Sequence, residues 1–413
     1  MHKYIWLIAF VIFFSCGKKS NSEKSDNDSV LVVKQSLPVN YEFAQGNDNI
    51  ESKKILIVVI DPHGDGKLAV AKFQKVIENF NCTVIGLNDV KNGQQDFMQR
   101  ISNDIKSATE HLELSLEQIY FAGFSGGGQM AFNYGNSISA NGVLMCGIGG
   151  LKEISMSEAV PLALIIGTKD FNFLNQYYSP YSDIVYNENF INFVFDGIHE
   201  WPNEDYILYA FSFLLAKNNI DLPVEINKDD LLKKYEIEKN YFLAFKTLEC
   251  VYKLTKNEKN NDELKKMLIN ADFKNYITNF EHFLNEESIR DGDYVELLNV
   301  KNIDWWKSEI GEINQFSKFS DAIKADSYSR TKAFLGILMF SYVAVEIENV
   351  NSEYIDKYLE IYELLEPENA DLWFFKALRQ KQLGDIQNSK DFLNKAFEFG
   401  YTDSLKAHQK GLI

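Results

Sequence analysis

Between Lys54 and Asp196, six short runs of nearly unbroken apolar residues recur, and helical stretches lie between several of them. The runs are Lys54–Ile60 (KILIVVI), Thr83–Leu87 (TVIGL), Gln118–Phe124 (QIYFAGF), Gly142–Ile148 (GVLMCGI), Leu162–Gly167 (LALIIG) and Ile191–Asp196 (INFVFD). A strand with one wet face alternates apolar and polar side chains. These runs do not alternate and are rich in β-branched residues, so they read as strands covered on both faces. Leu68–Phe80, Gln95–Leu114 and Gln129–Ile138 have helical character and can supply the cover. Strands alternating with helices predict a three-layer α/β domain with a mostly parallel sheet and right-handed crossovers.

The pattern changes at Pro223. Six of the seven prolines lie at or before it, and only Pro367 follows. Beyond it, Asp229–Leu254, Asp262–Leu284, Lys332–Glu348, Ser352–Leu365, Asp371–Leu383 and Gln387–Phe399 carry apolar residues three and four apart, which predicts an all-α region. In the last pair, Trp373, Ala377, Gly384, Ser389, Leu393 and Ala396 fall at the bulky, small and turn positions of a tetratricopeptide repeat. Residues from about Gly336 onward therefore resemble tetratricopeptide helices. Lys376 and Gln380 depart from the usual Leu and Tyr of that repeat. Asn227–Lys324 is expected to form helix pairs of the same stack.

At the N-terminus, His2 and Lys3 precede the apolar run Ile5–Phe14, which ends in Ser15-Cys16-Gly17. The run is too short to span a bilayer comfortably and matches the apolar part of a secretory signal. Phe13-Phe14-Ser15-Cys16 resembles the lipobox of bacterial lipoproteins, which implies that Cys16 is lipidated and becomes the first mature residue. The expected product is an exported protein anchored to a bacterial membrane, with Gly17 pointing to the outer membrane. Residues 1–15 would be the signal, and 16–51 a tether and extension. The polar stretch Lys18–Ser29 suits a tether.

A formal net charge of −17 offers no basic excess to neutralise phosphates, so nucleic acid is not an expected partner. Cys82, Cys146 and Cys250 are too widely spaced for a metal-ligand pattern and read as small buried hydrophobes. Neither a metal nor a cofactor is expected.

The chemistry centres on Gly123-Phe124-Ser125-Gly126-Gly127, a G-x-S-x-G pattern between an expected strand and an expected helix. That setting is the one a nucleophile elbow requires. A serine nucleophile needs a base, and there are six histidines. His2 lies in the signal, and His111, His282 and His408 lie on expected helices or the C-terminal tail. His199 follows the last expected strand, on a loop. The imidazole needs a carboxylate to hold its tautomer. Asp170 closes the preceding strand and gives the chain order Ser, Asp, His. Asp183 has no strand end to place it, and Asp196 lies three residues before the base on the same loop. The oxyanion needs two N–H donors. One is expected from Gly126 and the other from Gly64 or Asp65, in the loop Asp61–Gly66 after the first core strand. His63 is expected to scaffold that loop.

These four pieces resemble the α/β-hydrolase superfamily, within it the compact esterase, depolymerase and dienelactone-hydrolase-like members. The resemblance covers about residues 52–220 and implies an α/β-hydrolase domain there, followed by a tetratricopeptide-like helical domain over 221–413. Only Gly149–Val160 separates two late strands, which leaves no room for a large lid. The implied activity is hydrolysis of a small-molecule or polymeric ester, or less readily an amide, through an acyl-enzyme. Trp201, Tyr177 and Tyr178 are candidates to line the cleft. The C-terminal helices would bind a protein partner or a second copy of the chain. The alternative is a catalytically inactive hydrolase fold serving as a scaffold.

Overall fold

The computed structural model describes residues 40–47, 50–149, 160–176, 188–218, 249–250, 253, 266 and 271–413. Cys16 with its signal, Tyr177, Tyr178, Asp183, the stretch 150–159 and most of 229–254 lie outside the described residues. The chain divides into two compact units, one ending at His282 and the other running from Phe283 to Ile413.

In the first unit seven strands form one sheet: β1 (Tyr41–Gln45), β2 (Ile55–Ile60), β3 (Thr83–Leu87), β4 (Gln118–Phe124), β5 (Gly142–Cys146), β6 (Leu162–Gly167) and β7 (Phe190–Phe195). Their order is β1-β3-β2-β4-β5-β6-β7. Only β1 is antiparallel to its neighbour; every other pairing is parallel. The six runs read from sequence are therefore strands, and together they make the mostly parallel α/β sheet expected. β1 falls within the stretch 16–51 and has no such signature. It is a short edge strand with only Tyr41 and Ala44 buried, so it needs no apolar run.

The helices are α1 (Gly66–Ala71), α2 (Gln74–Phe80), α3 (Phe97–His111), α4 (Gly126–Ser137), the short α5 (Phe173–Gln176) and α6 (Glu204–Lys217). The stretch Leu68–Phe80 is two helices rather than one. Phe73 turns out of helical geometry at φ −103°, ψ 12° and is fully buried between them.

Successive strand residues face opposite sides of the sheet, and two cores follow from this. Ile57, Val59, Tyr120, Ala122 and Leu144 face one side with Phe73, Ile77, Phe211 and Leu214. Leu56, Val58, Ile60, Phe121, Val143 and Met145 face the other with Ile101, Met130 and Ala131. Each Val, Leu, Ile, Phe or Met among them contributes roughly 1.5–3 kcal/mol on burial, which is why the pattern is continuous rather than alternating. Cys82, Cys146 and Cys250 are buried among them and form no disulfide among the described residues.

β7 is the last strand of the sheet. Its Phe190 carbonyl accepts from Lys253 Nζ (2.7 Å), and its Asn192 carbonyl accepts from Cys250 Sγ (3.3 Å). Phe280 also joins this unit, edge-on to Phe173 with ring centroids 6.1 Å apart.

The second unit is all-helical: the C-terminal part of α7 (Ala271–Val300), then α8 (Ile303–Phe316), α9 (Ala322–Glu346), α10 (Ile355–Leu365), α11 (Ala370–Gln382), α12 (Ile386–Glu398) and α13 (Ser404–Gln409). In the α11–α12 pair Trp373 is buried against Phe392 and Phe399, and its Nε1 donates to the Pro367 carbonyl at 2.8 Å. Ala377 and Ala396 are fully buried, and Ser389 Oγ donates to Ala377 O at 2.9 Å. Between α7 and α9 a buried Arg330 forks onto Glu287 with bonds of 2.8 and 2.6 Å. No helix among the described residues is long and apolar enough to cross a membrane.

Candidate active site

In an open parallel sheet the strand ends carrying C-terminal loops open onto one edge, and a crevice forms where consecutive strands diverge to opposite sides. Here β3 and β4 flank β2 on opposite sides. The loops after β2, β4, β6 and β7 all leave that carboxyl edge, and each carries one of the residues singled out from sequence.

Ser125 follows β4 directly and takes φ 51°, ψ −128°. That backbone region is strained for any residue with a Cβ. It is held from both sides: Ser125 N–H donates to the Cys146 carbonyl at 2.8 Å, and its own carbonyl accepts from Gly128 at 2.9 Å. The turn also needs strand and helix to touch at backbone distance. A Cβ on Gly123 would lie 2.4 Å from the carbonyl carbon of Gly127, and one on Gly127 would lie 2.2 Å from the Ile60 carbonyl oxygen.

His199 reaches the same point from the loop after β7. Its Nε2 lies 3.1 Å from Ser125 Oγ, and its Nδ1 lies 2.9 Å from Asp170 Oδ2. With the proton on Nδ1, that nitrogen donates to Asp170 and leaves Nε2 free to accept from the hydroxyl. Asp170 is fully buried after β6. Its Oδ1 accepts from the Asn172 N–H at 2.8 Å, and the Asn172 carboxamide in turn donates to Gly147 O at 3.0 Å. The His199 loop is tied to the end of β6 by Thr168 N–H to Phe195 O (2.9 Å) and Lys169 N–H to Gly197 O (2.8 Å). Phe124 and Phe171 flank the imidazole, with centroids 4.7 and 4.4 Å from it.

Asp196 pairs instead with Lys169 and is exposed. His111 pairs with Tyr41, and His63 stays exposed on the loop after β2.

That loop runs beside the elbow. Gly64 takes φ +73°, and its N–H donates to the Asp61 carbonyl at 3.0 Å. The N–H of Asp65 has no acceptor among the described residues. The Gly126 N–H lies in the first turn of α4, where a helix leaves its donors without intrahelical acceptors. The Asn92 side chain abuts Gly126, and the Asn92 backbone N–H donates to the Pro62 carbonyl at 2.9 Å.

Trp201 is half-buried. Its indole N–H donates to Asp61 Oδ2 at 2.9 Å, and its ring packs on Phe124 at 5.4 Å. The sequence assigns no role to Asp61, Phe124, Phe171 and Asn172, although Phe124 fills a variable position of the G-x-S-x-G pattern and Asp61 opens the loop after the first core strand. Their only signals are position: Asp61 is the first charge after KILIVVI, and the other three adjoin the serine and the aspartate. Among the described residues no group of His, Cys, Asp or Glu is placed to hold a metal ion.

The arrangement can pass a proton from the Ser125 hydroxyl to an imidazole whose other nitrogen faces a buried carboxylate. It can also point backbone N–H groups at an adjacent carbonyl oxygen.

No protein-family model and no curated protein matches the chain. Solved structures similar to part of it include an α/β serine hydrolase without lid from Xanthomonas campestris, 14% identical over 49% of this chain and 99% of that one, with a TM-score of 0.33. A serine hydrolase homologue from Coxiella burnetii is 14% identical over 48% of this chain and 100% of its own, with a TM-score of 0.31. A fluorophosphonate-binding serine hydrolase from Staphylococcus aureus is 10% identical over 46% and 97%, with a TM-score of 0.32.

Proposed function

We propose that this chain is an exported, lipid-anchored serine hydrolase that cleaves carboxylic esters through an acyl-enzyme. The observation that carries the reading is the continuous relay from Ser125 Oγ through His199 to the buried Asp170, at 3.1 and 2.9 Å. A serine at φ 51° would be an expensive place to keep a hydroxyl without use for it.

In this mechanism Ser125 Oγ attacks the ester carbonyl carbon while its proton passes to His199 Nε2. The resulting imidazolium is stabilised by Asp170, which stays ionised. The tetrahedral oxyanion is met by the N–H of Gly126 and that of Asp65, since the N–H of Gly64 is committed to its own turn. The carbon–oxygen bond to the leaving alkoxide then breaks, and Nε2 returns the proton to that oxygen. Water repeats the sequence on the acyl-serine, with His199 taking its proton, and releases the acid with Ser125 restored. The membrane anchor rests on Cys16 at the end of the apolar run Ile5–Phe14, and the C-terminal helices would bind a protein partner or a second copy.

A fluorophosphonate probe and a panel of p-nitrophenyl esters of graded chain length test the reading. The wild-type chain should be labelled and should turn over at least one ester, whereas Ser125→Ala should do neither. A folded wild type that takes no label would favour the scaffold alternative. Palmitate-analogue labelling lost in Cys16→Ser would support the anchor, and retained labelling would exclude that site.

A further inference from the structure

The two halves of this site come from loops far apart in sequence, and one buried carboxylate joins them. Asp61 follows β2 and is only 2% exposed. Its Oδ1 accepts the backbone N–H of His63 at 2.9 Å, which shapes the loop carrying Gly64 and Asp65. Its Oδ2 accepts the indole N–H of Trp201 at 2.9 Å, two residues beyond His199. Trp201 also packs against Phe124 with its ring tilted by 32°, and Phe124 precedes the nucleophile and flanks the imidazole.

Burying a carboxylate without a cation is costly and is tolerated only when hydrogen bonds satisfy its oxygens. Asp61 takes part in no ion pair among the described residues. An apolar residue could fill the same space without that cost, but it could not accept two N–H groups from two loops. We infer that Asp61 and Trp201 are positioning residues for the hydrolysis, fixing the spacing between the oxyanion donors on one loop and the His199 imidazole on the other. The inference rests on the serine-hydrolase reading above.

Asp61→Asn keeps the shape but offers one acceptor and one donor, so one of the two loops loses its bond. Trp201→Phe keeps a ring on Phe124 and deletes only the indole donor. Misplacing reacting groups by about an ångström costs on the order of 100-fold in rate. In the full-length chain each substitution should therefore lower kcat about 10- to 100-fold on a p-nitrophenyl ester, with KM within about twofold. When the remaining oxygen of Asp61→Asn stays on the His63 N–H two residues on, as Asx turns favour, both substitutions break the bond between Asp61 and Trp201, and the double variant should be no slower than the slower single one. A general loss of packing would behave differently: the melting temperature and kcat would fall together, and the effects would multiply.

Two results overturn the inference while leaving the hydrolase reading intact. One is wild-type kcat in both single variants, and the other is multiplicative loss in the double variant in step with lowered melting temperature. A wild type inert to ester and fluorophosphonate alike removes the hydrolase reading and this inference with it.

Discussion

The ring of Phe171 lies 4.4 Å from the imidazole of His199, tilted by 45°, directly after the aspartate that the same imidazole faces. Phe124 presses from 4.7 Å. In the proposed mechanism the imidazole becomes a cation, and aromatic faces favour a cation by about 0.5–2 kcal/mol. Phe171→Leu should lower kcat on the order of 3- to 30-fold with little change in KM. Phe171→Ala should add a cavity cost of about 3–5 kcal/mol, visible as an earlier urea midpoint. Unchanged kcat in Phe171→Leu would mean the ring serves packing alone.

Gly127 lies where α4 presses on β2. A methyl group there would meet the Ile60 carbonyl oxygen at 2.2 Å, so backbone must move. Gly127→Ala should cost about 1–3 kcal/mol in urea unfolding and reduce ester turnover, because the same movement shifts Ser125. Gly292, within helix α7, is the contrast: a methyl there meets nothing within 4 Å. Gly292→Ala should stabilise its helix by about 0.5–1 kcal/mol.

Asp104, on α3, is buried with its Oδ2 lacking a hydrogen-bond partner among the described residues. Burial, reinforced by the nearby Asp89 carboxylate, pushes its pKa from 3.8 up to about 6. Between those two values the folded state binds more protons than the unfolded one, so stability falls as pH rises through that window. Asp104→Asn remains neutral and should escape the fall. Urea unfolding at about pH 4.5 and about pH 7.5 should show the variant gaining on wild type at the higher pH. An equal gap at both values would sink the assignment.

The sheet was readable because its strands are covered on both faces, so Lys54–Ile60 or Leu162–Gly167 needs no context to be recognised. Tyr41–Gln45 was not, since a half-exposed edge strand of five residues carries no pattern distinct from a loop. Ser125, Asp170 and His199 could be proposed from chain order because each closes or follows an apolar run, and the structure brings the three side chains within hydrogen-bonding distance in sequence. The residues around them were opaque. Asp61 and Trp201 meet across 140 positions, and no local spacing encodes such a bond. Likewise the engaged N–H of Gly64 depends on a turn whose closure only coordinates reveal.

The side chains of Cys250 and Lys253 lie past the change in composition at Pro223, yet they occupy carbonyls along β7. A sheet margin with bare carbonyls and N–H groups is a template for strands of other molecules. Those two donors fill acceptors that such a strand would use, and a chain cut at the compositional break would leave both carbonyls open.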